Sequence, residues 1–539
     1  MTAPKHPVPI ASSSPTEAPP LDRHPSHHWV FVLFLLPFAL LAGRHWNFDP
    51  AIGSGDYAQY LAHARAIVEG RPYTDIGYIY HPSAPMVGPT AYPPGLPLTL
   101  APIVAIGGIH SPWLRVLMLL SVLAFAYLSY RRLAMDIAPW QAAFAAGVAA
   151  FVAEARFGTL APLSDAGFCA LIWATILAVD SATSWTWRRT ALVIALGFAA
   201  MSYRVPGVVL IPALGLYAIV SWKENRGRAL IPVGVWTLSG FAVIASRSID
   251  VPFASFLVPK VANIVARLES VVRVYSRATL DAQLYPFPND IANDVYHVVA
   301  SIAMICGGAA LIWRQRRTML ATTFVTYVAM LIASPAMVGR YLWPLVPILV
   351  SGLALGLTAM FRLLARRLNM PTRGPAIAAG ALSVIALGAL WNGLRSPARA
   401  SDAKIPERIA LFERLRETNQ RERIRVVYSN PRVLTLETRV PAMAFLFETP
   451  ARHLAALHEK RITHLVWPTT TPTDCRGRLG HELPQIFPDR FALEYENSQY
   501  RLYRLINKRL PIPPTDNYQP SWGGTLCNPS RLALEDDSR

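Results

Sequence analysis

The chain has 539 residues, of which 53% are hydrophobic and only 16% are charged, and its formal net charge is +18. This balance is too apolar for an ordinary soluble enzyme. Short basic loops separate the apolar blocks, and no basic run is interleaved with aromatic residues, which argues against a nucleic-acid partner.

The first 28 residues are rich in proline, serine and alanine, and this composition predicts a disordered cytoplasmic tail. The apolar run that starts at Trp29 ends in Gly43-Arg44-His45. Because no small-residue cleavage pattern follows this run, we interpret it as a retained anchor rather than a signal peptide.

Apolar blocks of about 17–25 residues recur along the chain, which is the length that a helix needs to cross the hydrocarbon core of a membrane. They predict an all-α polytopic membrane unit over residues 29–394, with outer loops at 47–112 and 247–294. Residues 96–108 form a shorter, proline-rich block that we expect to be interfacial or re-entrant. About eleven spans are predicted, near residues 29–46, 113–130, 140–157, 165–182, 190–203, 206–222, 229–246, 295–313, 319–337, 342–361 and 376–393.

Lysine and arginine are concentrated in alternate loops, and cytoplasmic loops of membrane proteins carry this excess. The basic loops contain Arg131-Arg132, Arg188-Arg189, Lys223/Arg226/Arg228, Arg314/Arg316/Arg317 and Arg362/Arg366/Arg367/Arg373. The loop 47–112 and the C-terminal tail are therefore expected on the outer side of a bacterial inner (plasma) membrane.

Residues 395–539 change character, with frequent charges and short apolar runs. The β-branched runs 423–428 and 462–467 predict strands, 450–460 has a helical composition, and 491–506 predicts two further strands. This order indicates a periplasmic α/β domain. Cys475 and Cys527 lie in it, and whether they form a disulfide is left open.

The outer loop that follows the first span contains the run Gly55-Asp56-Tyr57-Ala58-Gln59-Tyr60. If residues 56–66 are helical, Tyr60 and His63 lie on the same face as Asp56, and together they present a carboxylate, a phenol and an imidazole. Asp56 is also a favoured helix N-cap residue, and capping is the alternative interpretation.

Further polar residues lie at the predicted outer ends of spans, in the runs Leu163-Ser164-Asp165, Ser202-Tyr203-Arg204 and Gly339-Arg340-Tyr341. Arginine makes fork-like contacts with phosphate oxygens, so the set predicts an anion site. For each arginine alone, snorkelling to the interface is the simpler explanation. The stiff run Tyr92-Pro93-Pro94-Gly95 is a candidate wall for a cavity.

The order of these segments resembles that of the GT-C-type glycosyltransferases, the polytopic family that includes protein O-mannosyltransferases and aminoarabinose transferases acting on lipid A. The resemblance covers residues 29–361. It implies a polyprenyl-phosphate sugar donor and a lipid, glycan or protein acceptor at the outer face. It rests on Asp56 with Tyr60, Ala66-Ile67-Val68-Glu69-Gly70, Tyr92-Pro93-Pro94, Ser164-Asp165, and Arg340-Tyr341 followed by Pro344 and Pro347.

The resemblance also implies roles for individual residues. Asp56 would be the general base or the carboxylate that orients the acceptor, and Arg340, with Arg204, would bind the donor phosphate and stabilise it as the leaving group. Asp56 and Asp165 are candidates to share a divalent metal, a requirement left open. The aminoarabinose transferases carry a basic residue just before the double proline, where this chain has Ala91-Tyr92, so their specificity does not carry over. The expected substrate-binding set is Tyr57, Tyr60, His63, Tyr92, Asp165, Arg204, Arg340 and Tyr341.

Two other functional classes remain as alternatives. A transporter or flippase for a lipid-linked or anionic solute would explain many spans and outer arginines, but it predicts ionisable residues near the bilayer midplane and repeat symmetry. The predicted spans carry almost no charge near their centres, and the sequence shows no internal repeat. A family member that has lost activity and serves as a scaffold is the second alternative.

Overall fold

The structure is a computed structural model that describes residues 28–44, 46, 55–84, 86–157, 161–182, 184–221, 230–238, 290–333, 339–370, 373–395, 405–446, 448–469 and 483–506. The predicted tail up to residue 27, most of the predicted loop 247–294, Cys475 and Cys527 lie outside these ranges.

The N-terminal part is helical. Its helices are α1 (His28–Arg44), α2 (Gly55–Val68), α3 (Gly95–Gly107), α4 (Trp113–Leu133), α5 (Pro139–Phe157), α6 (Ser164–Asp180), α7 (Trp187–Tyr203), α8 (Leu210–Val220), α9 (230–238), α10 (Asp290–Arg314), α11 (Met319–Ala333), α12 (Val346–Arg367) and α13 (Gly374–Arg395). Short 3₁₀ turns at Pro89–Ala91, Val205–Val209 and Gly339–Leu345 precede α3, α8 and α12.

Every predicted span overlaps one of these helices, but the number of spans stays a prediction. Within the described ranges, two segments are long and apolar enough to cross a membrane by length and composition, Trp113–Leu133 and Arg340–Arg367. Other apolar helices have only 10–17 residues. Helix α3 has 13 residues, which is about 20 Å at 1.5 Å per residue and less than a hydrocarbon core of about 30 Å.

Glycines allow α10 and α12 to pack with their backbones in close contact. A Cβ atom on Gly307 would overlap the backbone at Gly352, and one on Gly352 would overlap the backbone at Met304 and Gly308. Small residues at such crossings are a common means of helix association in membranes, where apolar burial between helices gains little.

A buried ion-pair network joins α4, α6 and α11 at the ends that the sequence predicts to be cytoplasmic. Arg132 pairs with Asp136 and with Asp180, at 2.6 Å in the second case. Asp180 in turn accepts hydrogen bonds from the backbone N–H groups of Met319 (2.6 Å) and Leu320 (3.1 Å) at the start of α11. Arg132 is thus a structural residue as well as part of the charge bias that sets topology.

The C-terminal part contains a mixed sheet flanked by helices. Its elements are α14 (Pro406–Glu422), β2 (Val426–Val427), α15 (Pro431–Thr438), β3 (Ala442–Met443), α16 (Pro450–Glu459), β4 (His464–Pro468), α17 (Leu483–Ile486), β5 (Phe491–Glu496) and β6 (Tyr500–Leu505). The strands expected from 423–428, 462–467 and 491–506 are all present within those ranges or one residue beyond them.

The sheet also includes a strand from the outer loop, β1 (Tyr78–Ile79), which the sequence analysis did not predict. The strand order is β1-β3-β2-β4-β6-β5, with β1, β3, β2 and β4 parallel and the last two pairings antiparallel. Tyr78 aligns with Ala442, and the amide of Ala442 donates to the carbonyl of Gly77 at 3.1 Å. The outer loop and the C-terminal part therefore share one sheet and must lie on the same side of a membrane.

Candidate active site

Asp56 lies in the first turn of α2, and its carboxylate contacts three side chains from distant parts of the chain. Oδ2 accepts from Nη2 of Arg340 at 2.5 Å, and Oδ1 accepts from Nη1 of Arg432 at 3.0 Å and from the hydroxyl of Tyr92. These three donors are all side chains, so in the described part of the chain the carboxylate is engaged in ion pairing rather than in capping its own helix.

The segment that carries Arg340 is fixed in place by two tryptophans. Nε1 of Trp343 donates to the carbonyl of Ala149 on α5 at 3.3 Å, and Nε1 of Trp173 on α6 donates to the carbonyl of Pro344 at 2.9 Å. Both tryptophans are fully or almost fully buried. Arg340 therefore projects from a turn that is anchored to the helical bundle.

Arg432 comes from α15 in the C-terminal part, and the sequence analysis did not predict it. Its side chain is 4% exposed. Nη1 donates to the Tyr92 hydroxyl at 2.8 Å as well as to Asp56, and Nη2 donates to the Val87 carbonyl at 2.7 Å. The guanidinium lies 5.5 Å from the ring centre of Tyr78 and 5.2 Å from that of Tyr92, a cation–π arrangement.

The electrostatics of this cluster favour an ionised carboxylate. Burial alone would raise the pKa of Asp56, but the positive charges of Arg340 and Arg432 and the hydrogen bond from Tyr92 outweigh it and hold that pKa well below its ordinary range. Two guanidinium groups face one carboxylate, so the cluster keeps an excess of one positive charge. A partly buried excess charge is costly unless an anion compensates it.

A second ion pair lies beside the first. Arg204 donates to Asp165 at the start of α6, and its guanidinium lies 5.0 Å from the ring centre of Tyr341. The Tyr60 hydroxyl is 2.7 Å from Oγ of Ser164, which connects α2 to this pair. Because one carboxylate balances one guanidinium here, the pair carries no excess charge.

The described residues give no support to a metal shared by Asp56 and Asp165. Each carboxylate is paired with arginine. No group of three or more histidine, cysteine, aspartate or glutamate side chains suited to a metal ion occurs within the described ranges.

His63 and Tyr57 are less directly placed than the sequence analysis predicts. His63 is fully buried; its Nδ1 is 2.7 Å from the carbonyl of Tyr73, and its ring stacks on Tyr73 at 4.1 Å. Burial lowers the pKa of His63 to about 4, so the imidazole is neutral. The His63 ring centre is 6.2 Å from that of Tyr92. Tyr57 belongs to the buried core around α2 and α3.

Of the predicted set, the structure thus joins Asp56, Tyr92 and Arg340 in one cluster, and Asp165, Arg204 and Tyr341 in its neighbour. Tyr60 lies between them, with its ring centre 5.1 Å from that of Tyr92.

Comparison with known proteins identifies the fold of the chain. No family model matches the chain, and no curated protein matches it. Among solved structures, it is similar to ArnT from Cupriavidus metallidurans bound to undecaprenyl phosphate, at 12% identity and a TM-score of 0.51, over 90% of this chain and 100% of that one. ArnT is a GT-C-type glycosyltransferase. The chain has the GT-C fold.

The same fold relates the chain to an archaeal protein. The oligosaccharyltransferase AglB from Archaeoglobus fulgidus, in complex with an inhibitory peptide and a dolichol-phosphate, is 14% identical with a TM-score of 0.50, over 90% of this chain and 75% of that one. The predicted resemblance to GT-C-type glycosyltransferases is confirmed at the level of fold.

Proposed function

We propose that the protein is a membrane glycosyltransferase that moves a sugar from a polyprenyl-phosphate donor to a lipid, glycan or protein acceptor at the outer face of a bacterial inner membrane. The observation that supports this proposal best is the cluster of Asp56 with Arg340 and Arg432, a carboxylate surrounded by excess positive charge, in a chain with the GT-C fold. A donor phosphodiester carries the negative charge that the cluster lacks.

Arg340 is the arginine best placed to receive the phosphate. Its side chain is 23% exposed, against 4% for Arg432. Arg204 is neutralised by Asp165 and lies in a buried pair, which makes it a weaker phosphate ligand than the sequence predicts.

The transfer step follows from this placement. The bond between the anomeric carbon and the phosphate oxygen breaks, and its electron pair stays on the phosphate, where Arg340 stabilises the growing negative charge. The acceptor oxygen forms the new bond to the anomeric carbon, and its proton passes to the Asp56 carboxylate. The products are the glycosylated acceptor and polyprenyl phosphate.

Asp56 in its resting state is a weak base, because two arginines stabilise its ionised form. A bound phosphate offsets part of that positive charge and therefore raises the pKa of Asp56 towards its ordinary range. The donor thus makes the carboxylate a better proton acceptor at the moment when the acceptor hydroxyl must be deprotonated. This coupling also limits proton uptake by the empty site.

Strand pairing and the distribution of basic loops support a site that lies entirely on one side of the membrane. Pairing of β1 with β3 requires the outer loop and the C-terminal part to share one face of the membrane. The loops rich in lysine and arginine are predicted on the other face. We propose that residues 395–539 form a periplasmic domain, and that residues 29–394 form the membrane unit.

The test uses purified protein in nanodiscs with a panel of polyprenyl-phosphate sugars and candidate acceptors, and it measures release of polyprenyl phosphate. We expect release by the wild type and a loss of about 10²–10⁴-fold in Asp56→Asn, the range for a general base. Asp75→Asn is the matched control, since Asp75 lies on the same loop in an exposed pair with Arg71. Undiminished release by Asp56→Asn would refute the role of Asp56, and transport of an intact lipid-linked solute without bond cleavage would favour the flippase alternative.

A further inference from the structure

Helix α15 of the C-terminal part lies along α2 and contacts it at two places besides the ion pair of Asp56 with Arg432. At the start of α2, Gly55 leaves no room for a side chain, because a Cβ there would lie 2.9 Å from Oδ1 of Asn430. In the last turn of α2, Nη1 of Arg65 donates to the carbonyl of Leu436 at 2.9 Å. The alignment of the two helices is therefore fixed by contacts outside the active-site cluster.

Arg432 is enclosed at the position where this docking places it. Its side chain is almost fully buried, both terminal nitrogens are engaged, and two tyrosine rings flank its guanidinium. A group so enclosed acts on the reaction through the carboxylate that it contacts.

We propose that Arg432 is a positioning residue for the transfer reaction: docked from the C-terminal domain, it fixes the orientation of the Asp56 carboxylate. This inference rests on the proposed function. Arg432 and Tyr92 take Oδ1, while Arg340 takes Oδ2, so the carboxylate is held at both oxygens in a plane set by two different parts of the chain. Charge-assisted hydrogen bonds of this kind are the strong, geometrically specific ones.

The consequence is that the C-terminal domain completes the active site and does more than cover it. The membrane unit alone supplies Asp56, Tyr92 and Arg340, but without Arg432 the oxygen Oδ1 keeps only the Tyr92 hydroxyl, which itself loses the hydrogen bond from Arg432. Small misplacements of a reacting group cost large factors in rate, about 100-fold for 1 Å. Docking of the domain and catalysis are therefore coupled.

The side chains around Asp56 determine its charge state. They are Arg340 on the turn before α12, Arg432 on α15 and Tyr92 on the outer loop, with Tyr60 on the same helix. Removing the charge of Arg432 leaves one guanidinium where there were two, so the acid limb of the pH profile moves to higher pH. The expected displacement is about 1–3 pH units, the effect of one adjacent arginine on an aspartate.

The experiment compares Arg432→Gln and Arg432→Lys with the wild type in the same donor assay, over a range of pH. For Arg432→Gln we expect kcat to fall about 100-fold, the KM for the donor to change much less, and the acid limb to move upward. Arg432→Lys keeps the charge and should restore the acid limb, but it recovers kcat only in part because a single ammonium cannot reproduce the fork.

Arg439→Gln is the matched control, because Arg439 follows the same helix and bridges to Glu69 of the outer loop at 2.9 Å, yet its side chain is 70% exposed. We expect it to keep the wild-type kcat and pH profile. Limited proteolysis of each variant reports whether the domain stays docked. A fall in kcat for Arg432→Gln with an unmoved acid limb, or equal losses in Arg439→Gln, would overturn the inference.

A readout without turnover separates this inference from the proposed function. Carbodiimide reacts with protonated carboxyl groups, and mass spectrometry gives the pH at which labelling of Asp56 is half complete. That midpoint should rise in Arg432→Gln even if no donor in the panel is consumed. An unchanged midpoint overturns the role of Arg432, whereas a shifted midpoint with no turnover by the wild type counts against the transferase proposal alone.

Discussion

Replacing Asp56 by asparagine should make the site bind phosphate more tightly while it destroys turnover. In the wild type the carboxylate neutralises one of two guanidinium groups that lie 2.5 and 3.0 Å from it. The variant leaves Arg340 and Arg432 with two uncompensated positive charges. Two unit charges 4 Å apart interact by about 4 kcal/mol at the effective dielectric constant of a protein surface.

The magnitude of the stability loss follows from the same contacts. Removing one partner of a buried ion pair costs about 3–5 kcal/mol. Asp56 is 19% exposed and Arg340 is 23% exposed, so solvent screening places the expected loss at the lower end, about 3 kcal/mol. A phosphate bound to Arg340 recovers part of it, because it supplies negative charge to the cluster.

The assay is thermal unfolding of wild type and Asp56→Asn in nanodiscs, with and without undecaprenyl phosphate. We expect a lower Tm for the variant alone, a larger rise in Tm on adding the lipid, and a Kd about 10–100-fold lower, which corresponds to about 1.4–2.8 kcal/mol. Asp75→Asn should match the wild type in all three measurements. Equal or weaker binding by Asp56→Asn would refute the view that the cluster is an anion site short of one negative charge.

Three further predictions concern the contacts around this cluster and the C-terminal domain. Tyr92→Phe removes a hydrogen bond to the ionised Asp56 that is worth about 1.5–3 kcal/mol, so kcat/KM should fall about 10–100-fold with the acid limb at higher pH. His453 is fully buried, neither ring nitrogen has a partner among the described residues, and burial lowers its pKa to about 3. The neutral imidazole is therefore fully compatible with the fold above about pH 6.5, and the free energy of unfolding falls by up to about 1.4 kcal/mol for each pH unit below that, until about pH 3. In His453→Leu the free energy of unfolding should depend less on pH between these two values. Gly77→Val places a side chain at φ +78° against Thr435, which should detach β1 from the sheet, increase protease sensitivity between the two parts and reduce turnover.

Two of these predictions have an internal control. Tyr80→Phe changes a phenol on the same loop that the cluster does not use, and it should leave the pH profile unchanged. Gly70→Val is the control for Gly77, since Gly70 also has a positive φ but open space around it. A parallel acid sensitivity of wild type and His453→Leu, or equal protease sensitivity of the two glycine variants, would contradict the reasoning.

The sequence by itself determined the features that depend on local pattern. Apolar blocks of a given length predict helices, and each predicted span overlaps a helix because apolar composition persists over several turns. The β-branched runs 423–428 and 462–467 predict β2 and β4, and residues 491–506 predict β5 and β6. The order of Asp56, Tyr92 and Arg340 along the chain carried the resemblance that the fold comparison confirms.

The tertiary structure alone decided which charges meet. Asp56 and Arg432 are 376 positions apart, and no local pattern marks an arginine at the start of a short helix as the partner of a distant carboxylate. The strand Tyr78–Ile79 is two residues long, too short for a periodicity, and it exists because the edge of a remote sheet offers it hydrogen bonds. Helix packing likewise decides which arginine is neutralised. Arg204 pairs with Asp165, whereas Arg340 belongs to the cluster with excess positive charge, because ion pairs depend on distances between elements that the sequence does not encode locally.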